Sequence, residues 1–289
     1  MTVRPYDDGT DRSAVAGLIQ GVTRHDGTEP LSEEKKAQWL TGVATDSLTI
    51  LEDHRIIGYV HASWNDAVDS WSLELVIDPA HRSPEMLDDL MEHSAGHLNK
   101  RRSGEIRFWS FAPWIDKWAS AAGFELIRRL LVMGMVLPAR SPDPREDVQI
   151  RRYIPGVDDA SLLLVNNRAF PNHPENGGWD EAILEDRRSR TWFDSEDLLM
   201  GWSGDRLVGF CWTKRHDPGT SEIYVLAVDP DFRRRGIGRF LLLSALDHMS
   251  DSGCEKAILY VRDDEDAAEQ LYRSAGFRPL ERRSEYRYA

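Results

Sequence analysis

Apolar residues recur along the chain with two different periods, and the switch between them marks its elements. Residues 224–228, Tyr-Val-Leu-Ala-Val, form a short apolar run rich in β-branched and aromatic types, which predicts a buried strand. Asp229-Pro230 stops it, because proline cannot donate to a strand ladder. Three arginines and Gly236-Ile237-Gly238 follow, and then Leu242, Leu243, Leu246 and Met249 recur at helical spacing. By the same reading the first half holds strands at 2–5, 47–51, 55–63, 72–77 and 105–111. Its helices fall from Asp11 or Ser13 to about Val22, near 33–40, at about 84–99 and at 114–122, and a final hairpin is expected at 125–137. The second half holds strands at 148–153, 198–202, 206–213 and 256–261, helices at about 158–168, 180–188 and 266–275, and a last hairpin.

The second half replays the first. Gly58 and Gly209 stand 151 positions apart, as do Asp78-Pro79 and Asp229-Pro230, while Gly123-Phe124 and Gly276-Phe277 stand 153 apart. Residues 138–147 are Pro-rich and polar, which places the domain boundary there. Two α/β domains are therefore expected, at 1–140 and 141–289.

Composition narrows the setting. With 41% hydrophobic and 29% charged residues, the chain can bury a core. No run of 18 apolar residues occurs and residues 1–5 carry no apolar signal region, so no membrane partner is expected. Cys211 and Cys254, the only cysteines, read as core thiols in a reducing compartment, hence a cytoplasmic location and no metal site. A net charge of −13 argues against nucleic acid and permits a cationic substrate. A monomer is expected.

The glycine turn carries the most specific chemistry. The first turn of a helix has four unpaired N–H groups and partial positive charge, and glycines let a phosphate approach the backbone. The spacing Val-x-Pro-x-x-Arg-x-x-Gly-x-Gly, from Val228 to Gly238, resembles the pyrophosphate-binding motif of the GNAT acetyltransferase superfamily. That resemblance implies acetyl-CoA as co-substrate and two tandem GNAT acyltransferase domains, each a mixed, mainly antiparallel sheet flanked by helices.

The two halves differ at the positions that matter. Shifted by 151, Gly236, Gly238 and Arg235 fall on Glu85, Leu87 and Pro84, and Glu222 falls on Trp71. Shifted by 153, Tyr272 falls on Ala119. A glutamate repels phosphate and a leucine crowds the backbone, so the first domain reads as degenerate, a structural or substrate wall, and the second as catalytic.

Acetyl transfer to an amine needs a neutral amine, donors for the carbonyl oxygen and a proton for the leaving thiolate. Glu222, at the entry of the central strand, is the candidate base. Tyr272, in the last predicted helix, is the candidate acid. Backbone N–H groups around Leu226, Ala227 and Val228 are candidate donors to the carbonyl. His173 and His216 have no carboxylate that the sequence pairs with them, and neither is assigned a proton role.

The runs His173–Trp179, Trp192-Phe193-Asp194, Gly209–Lys214 and Glu222–Leu226, in that order, resemble the mycothiol synthase family. The resemblance implies acetylation of the cysteinyl amine of cysteinyl-glucosaminyl-inositol, a small-molecule substrate, to finish mycothiol. It implies that Glu33, Glu175, Lys214, Glu222 and Tyr260 contact that substrate, with Glu33 reaching it from the first domain. It implies that acetyl-CoA is held by Leu226, Ala227 and Val228, and by Arg233, Arg234, Arg235, Gly236, Ile237, Gly238 and Arg239. It also implies that Glu265, Asp266, Ala267, Ala268, Glu269 and Gln270 lie beside its pantetheine arm. Two departures stand out: the family often keeps a glycine turn in the first half, and it usually has Asn where this chain has Glu265. A GNAT enzyme for another small amine or a peptide N-terminus, or a non-catalytic acetyl-CoA-sensing module, are the alternative readings.

Overall fold

The computed structural model describes residues 2–43, 46–66, 68–171, 173 and 176–288. It divides into two compact units, Met1–Leu130 with Glu281–Ala289, and Leu131–Leu280. The division does not fall at the Pro-rich segment expected to mark it. The expected terminal hairpins are instead long single strands, β6 (Glu125–Val136) and β12 (Arg278–Tyr288). Neither run contains a turn sequence that would fold it back. The first part of β6 and the last part of β12 belong to the first unit, and the remainder of each to the second.

In the first unit, β1 (Thr2–Pro5), β2 (Leu48–Glu52), β3 (Arg55–Asn65) and β4 (Ser70–Ile77) pair antiparallel in that order. β5 (Glu105–Ser110) lies parallel to β4, and the end of β12 pairs antiparallel with β5. Helices α1 (Asp8–Asp26), α2 (Glu33–Leu40), α3 (Pro84–Arg101) and α4 (Pro113–Ala121) cover the sheet. α1 begins earlier than its apolar spacing suggests, because the Asp7 side chain accepts from Gly9 N–H and caps it. One core gathers Leu73, Leu87, Leu90, Phe108 and Trp118 around Tyr286 of β12; a smaller one packs α1 on Tyr59 and Val76.

The second unit repeats the plan. Its order is β7 (Gln149–Arg152), β8 (Leu198–Ser203), β9 (Arg206–Asp217), β10 (Thr220–Val228), β11 (Lys256–Arg262) and the end of β6. α5 (Asp159–Ala169) and α6 (Glu181–Arg188) belong to one face, where Leu162, Val165 and Leu184 join Phe210, Trp212, Val225 and Ala227. α7 (Ile237–Asp251) and α8 (Asp266–Ala275) belong to the other, where Leu241, Leu242, Leu246 and Met249 pack with Cys211, Ile223 and Leu259. Both cysteines are buried and free. Among the described residues no helix is long and apolar enough to cross a membrane.

The first unit buries a polar cluster. Ser32 N–H donates to Glu74 Oε2 at 2.7 Å, and Lys35 donates to the Ser63 hydroxyl. Burial pushes both groups toward their neutral forms: it lowers Lys35 and raises Glu74 to about 7, against hydrogen bonds from Ser32 and the charge of Lys35. A carboxyl raised on folding contributes stability below its unfolded value of 4.5 and loses it as pH climbs through about 7. The span is worth up to roughly 3 kcal/mol at about 1.4 kcal/mol per pH unit. Glu74→Gln keeps an acceptor for Ser32 and removes the titration. In urea titrations at pH 5, 6, 7 and 8, the variant is expected to lose less stability with rising pH than the native chain; parallel losses would contradict this account.

Candidate active site

The second unit's sheet is broken at its centre in two ways. β10 runs parallel to β11 from Thr220–Lys256 to Ile223–Leu259, and their pairing ends there, while β10 stays paired with β9 as far as Val228–Gly209. Beyond Ile223 the sheet therefore has a gap on the β11 side. A β-bulge sits at the same point: Ile223 opposes Thr213 and Val225 opposes Trp212, leaving Tyr224 as the extra residue. Tyr224 and Val225 consequently both face the aromatic side of the sheet, and Leu226 and Val228 face α7 and α8. In the first unit, β3 and β4 pair from Gly58–Ile77 to Asn65–Ser70 without a shift, and the parallel ladder continues to Glu74–Trp109.

The turn after β10 forms an anion cradle from backbone. Arg234 (φ 59°) and Gly236 (φ 77°) take left-handed conformations, and Gly236 caps α7 with no side chain satisfying its first turn. Those N–H groups, with the helix dipole behind them, suit a pyrophosphate. The arginines mainly build the turn. Arg233 donates to Ala169 O at 2.9 Å, Arg235 to Asp231 O at 3.0 Å, and Arg239 to Ser274 Oγ on α8 at 3.0 Å. Arg145, from the Pro-rich segment, donates to Arg235 O at 2.8 Å and is itself held by Asp147. Nothing in the sequence pattern pointed to Arg145, since its partner is a carbonyl 90 residues on. The first unit's equivalent helix is closed: Ser83 accepts from Met86 N–H, and the backbone N–H of Glu85, then the Ser83 hydroxyl, hold the Glu85 carboxyl below the usual carboxylate range. Trp71 and Ala119, at the positions of Glu222 and Tyr272, are core residues.

Glu222 is 8% exposed and lies on the aromatic side of β10. Lys214 is its direct partner across the ladder, with Nζ 5.4 Å from the Trp192 ring centroid. Trp192, Trp212 and Tyr224 pack against one another edge to face and tilted, with centroids 5.0–5.8 Å apart. Tyr260 is half-buried on β11, at a position of the same parity as Ile258, which pairs with Glu222. Contrary to the sequence reading, Glu222 has a histidine partner: His216 Nε2 stands 2.7 Å from Glu222 Oε2. His173 instead accepts from Asn176 N–H within its own loop. Glu33 is exposed at the first turn of α2 in the first unit. Glu175 lies outside the described residues.

Tyr272 stands on the opposite side of the sheet, packed with Leu226, Val228, Ala268 and Leu271. Burial, then the neighbouring Cys211 and Glu265, push its phenol above its ordinary value of 10, so it holds its proton. Glu265 precedes α8 without capping it, and Asp266, Ala267 and Gln270 are exposed along its first turns, with Ala268 and Glu269 half-buried.

The Acetyltransferase (GNAT) family matches residues 164–277, which hold the turn, the gap, Glu222 and Tyr272. The protein is thus an N-acetyltransferase of the GNAT class, a class that uses acetyl-CoA. Along the whole length, the mycothiol acetyltransferase of Geodermatophilus obscurus is 34% identical over 298 aligned residues, covering 96% of each chain. This chain belongs to the mycothiol acetyltransferase family. Two solved structures share its fold: the GCN5-related N-acetyltransferase from Sphaerobacter thermophilus and a tandem GNAT protein from the clavulanic acid biosynthesis pathway. The first superposes with TM-score 0.82 at 20% identity, covering 99% of this chain and 95% of that one. The second gives 0.72 at 12% identity, covering 99% and 98%.

A side chain at residue 236 would be strained by the left-handed backbone, and its Cβ would stand 3.2 Å from Arg145 Nη1. Gly236→Ala is expected to weaken acetyl-CoA binding about tenfold, for a cost of about 1.4 kcal/mol, by isothermal titration calorimetry. Native affinity would show that the cradle is not the phosphate site.

Proposed function

We propose that the protein acetylates the cysteinyl amine of cysteinyl-glucosaminyl-inositol with acetyl-CoA, the last step of mycothiol formation. Whole-length similarity to named mycothiol acetyltransferases supports the substrate. The observation that carries the chemistry is the gap past Ile223, with a carboxylate on one side of the sheet and a half-buried phenol on the other. We assign the catalytic role to the second half of the sequence repeat, residues 141–289, and a wall role to the first half, residues 1–140.

In this reading acetyl-CoA lies on the α7–α8 side, with its pyrophosphate on the turn from Arg233 to Arg239. Its pantetheine arm runs along Glu265 to Gln270, and the thioester enters the gap. The amine arrives on the aromatic side, near Glu222, Lys214 and Tyr260; Glu175 joins them by family resemblance. Glu222 takes a proton from the ammonium, directly or through water. The amine nitrogen attacks the thioester carbonyl, and backbone N–H groups of Leu226 to Val228 stabilise the oxyanion. As the C–S bond breaks, Tyr272 gives its proton to the thiolate, the extra proton on the attacking nitrogen passes through solvent water to restore the phenol, and the neutral amide and CoA thiol leave.

The deciding experiment is thiol release from acetyl-CoA with the sugar conjugate, polyamines, amino acids and short peptides side by side. Selective turnover of the sugar conjugate is expected; turnover of another amine alone would remove this substrate. Tyr272→Phe and Glu222→Gln are each expected to lower kcat by about 100-fold or more. Because burial holds the Tyr272 proton above pH 10, any fall in kcat between pH 8 and 10 should be the same in Tyr272→Phe as in the native enzyme. A limb present only in the native enzyme would contradict that.

A further inference from the structure

β9 carries a bulge of its own. Thr220 opposes Asp217 and Ser221 opposes Arg215, so His216 is the extra residue of β9. Bulges near active sites commonly re-aim one side chain. Here the imidazole is turned onto the carboxylate two strand positions away, with Nε2 and Oε2 at 2.7 Å.

We propose that His216 is a positioning residue for acetyl transfer, donating from Nε2 to hold the Glu222 carboxylate toward the gap and away from Lys214; this rests on Glu222 being the base. An ionised carboxylate only accepts hydrogen bonds, so the shared proton belongs to Nε2. The side chains are 16% and 10% exposed, which shields the bond from competing water. Lys214 sits directly across the ladder from Glu222, and opposed strand residues hold their Cβ atoms about 5 Å apart. Those two opposite charges have a short path to each other. Their ion pair would occupy the base and neutralise the cation in one step. With Oε2 committed to His216, the carboxylate keeps its other oxygen for the ammonium. Lys214 keeps its place beside Trp192.

A positioned base affects the chemical step more than the binding of acetyl-CoA, which lies on the other side of the sheet. The test uses the full chain and the amine identified by the thiol-release panel. His216→Phe keeps a ring but no donor, and is expected to lower kcat about 10- to 100-fold, the scale of a misplaced catalytic group. The KM for acetyl-CoA should stay within about twofold, because the cradle is untouched. His216→Gln restores an N–H donor at comparable reach and should recover kcat to within about threefold of native. In the Glu222→Gln background, His216→Phe should add nothing further, because it acts through that carboxylate. Native kcat in His216→Phe, no recovery in His216→Gln, or losses that multiply in the double variant would each overturn the proposal. Native kcat in Glu222→Gln would instead overturn the base assignment beneath it.

Discussion

The site depends on where two parallel strands stop pairing. β10 and β11 hold their ladder only to Ile223–Leu259, so the backbone of residues 224–228 has a neighbour on the β9 side alone. Buried backbone donors normally find partners. A row left open beside a gap is therefore kept available for something else, and here a carbonyl oxygen that gains charge during reaction fits it. The bulge at Tyr224 serves the same end. It shifts the strand's alternation by one, so that aromatic side chains line one side while Leu226 and Val228 line the other. In the proposed reaction, thioester and amine would then meet at the sheet without passing through the core of either face.

The first unit follows the same plan with its parallel ladder carried further, to Glu74–Trp109. Its central ladders run on without a shift. Its helix N-terminus is satisfied by Ser83 and by the carboxylate of Glu85, an anion supplied by the chain. Trp71 donates to Arg102 O at 2.9 Å from the position that Glu222 holds in the second unit. Where α7 of the second unit begins without a side-chain cap, the first unit spends its polar contacts internally, on the cap and on the buried group around Glu74 and Lys35.

Much of this was legible in the sequence because it is local. The strand, the Asp-Pro stop, the glycine turn and the leucine spacing follow one another within 27 residues, 223–249, and each has a short-range cause. The repeat offset showed, without any structure, that the first half has no counterparts of the glycine turn, Glu222 and Tyr272. What stayed hidden is pairing over distance. His216 lacked a carboxylate on paper because a bulge is a property of two strands, set by both partners and invisible along either one. Arg145 looked like linker because its acceptor is the carbonyl of Arg235. The terminal runs looked like hairpins because length alone cannot separate a folded pair from one strand shared between two units.

That sharing bears on how the chain is made. β5 lacks its antiparallel neighbour until residues 284–288 exist, and Tyr286 completes the core around Phe108. During synthesis the first unit therefore waits through the whole of the second with an open strand edge and an unfinished interior, the kind of surface that invites wrong partners. The short, charged character of that late segment, Glu281-Arg282-Arg283-Ser284-Glu285-Tyr286-Arg287-Tyr288, suits a strand that must remain dissolved until its place is ready.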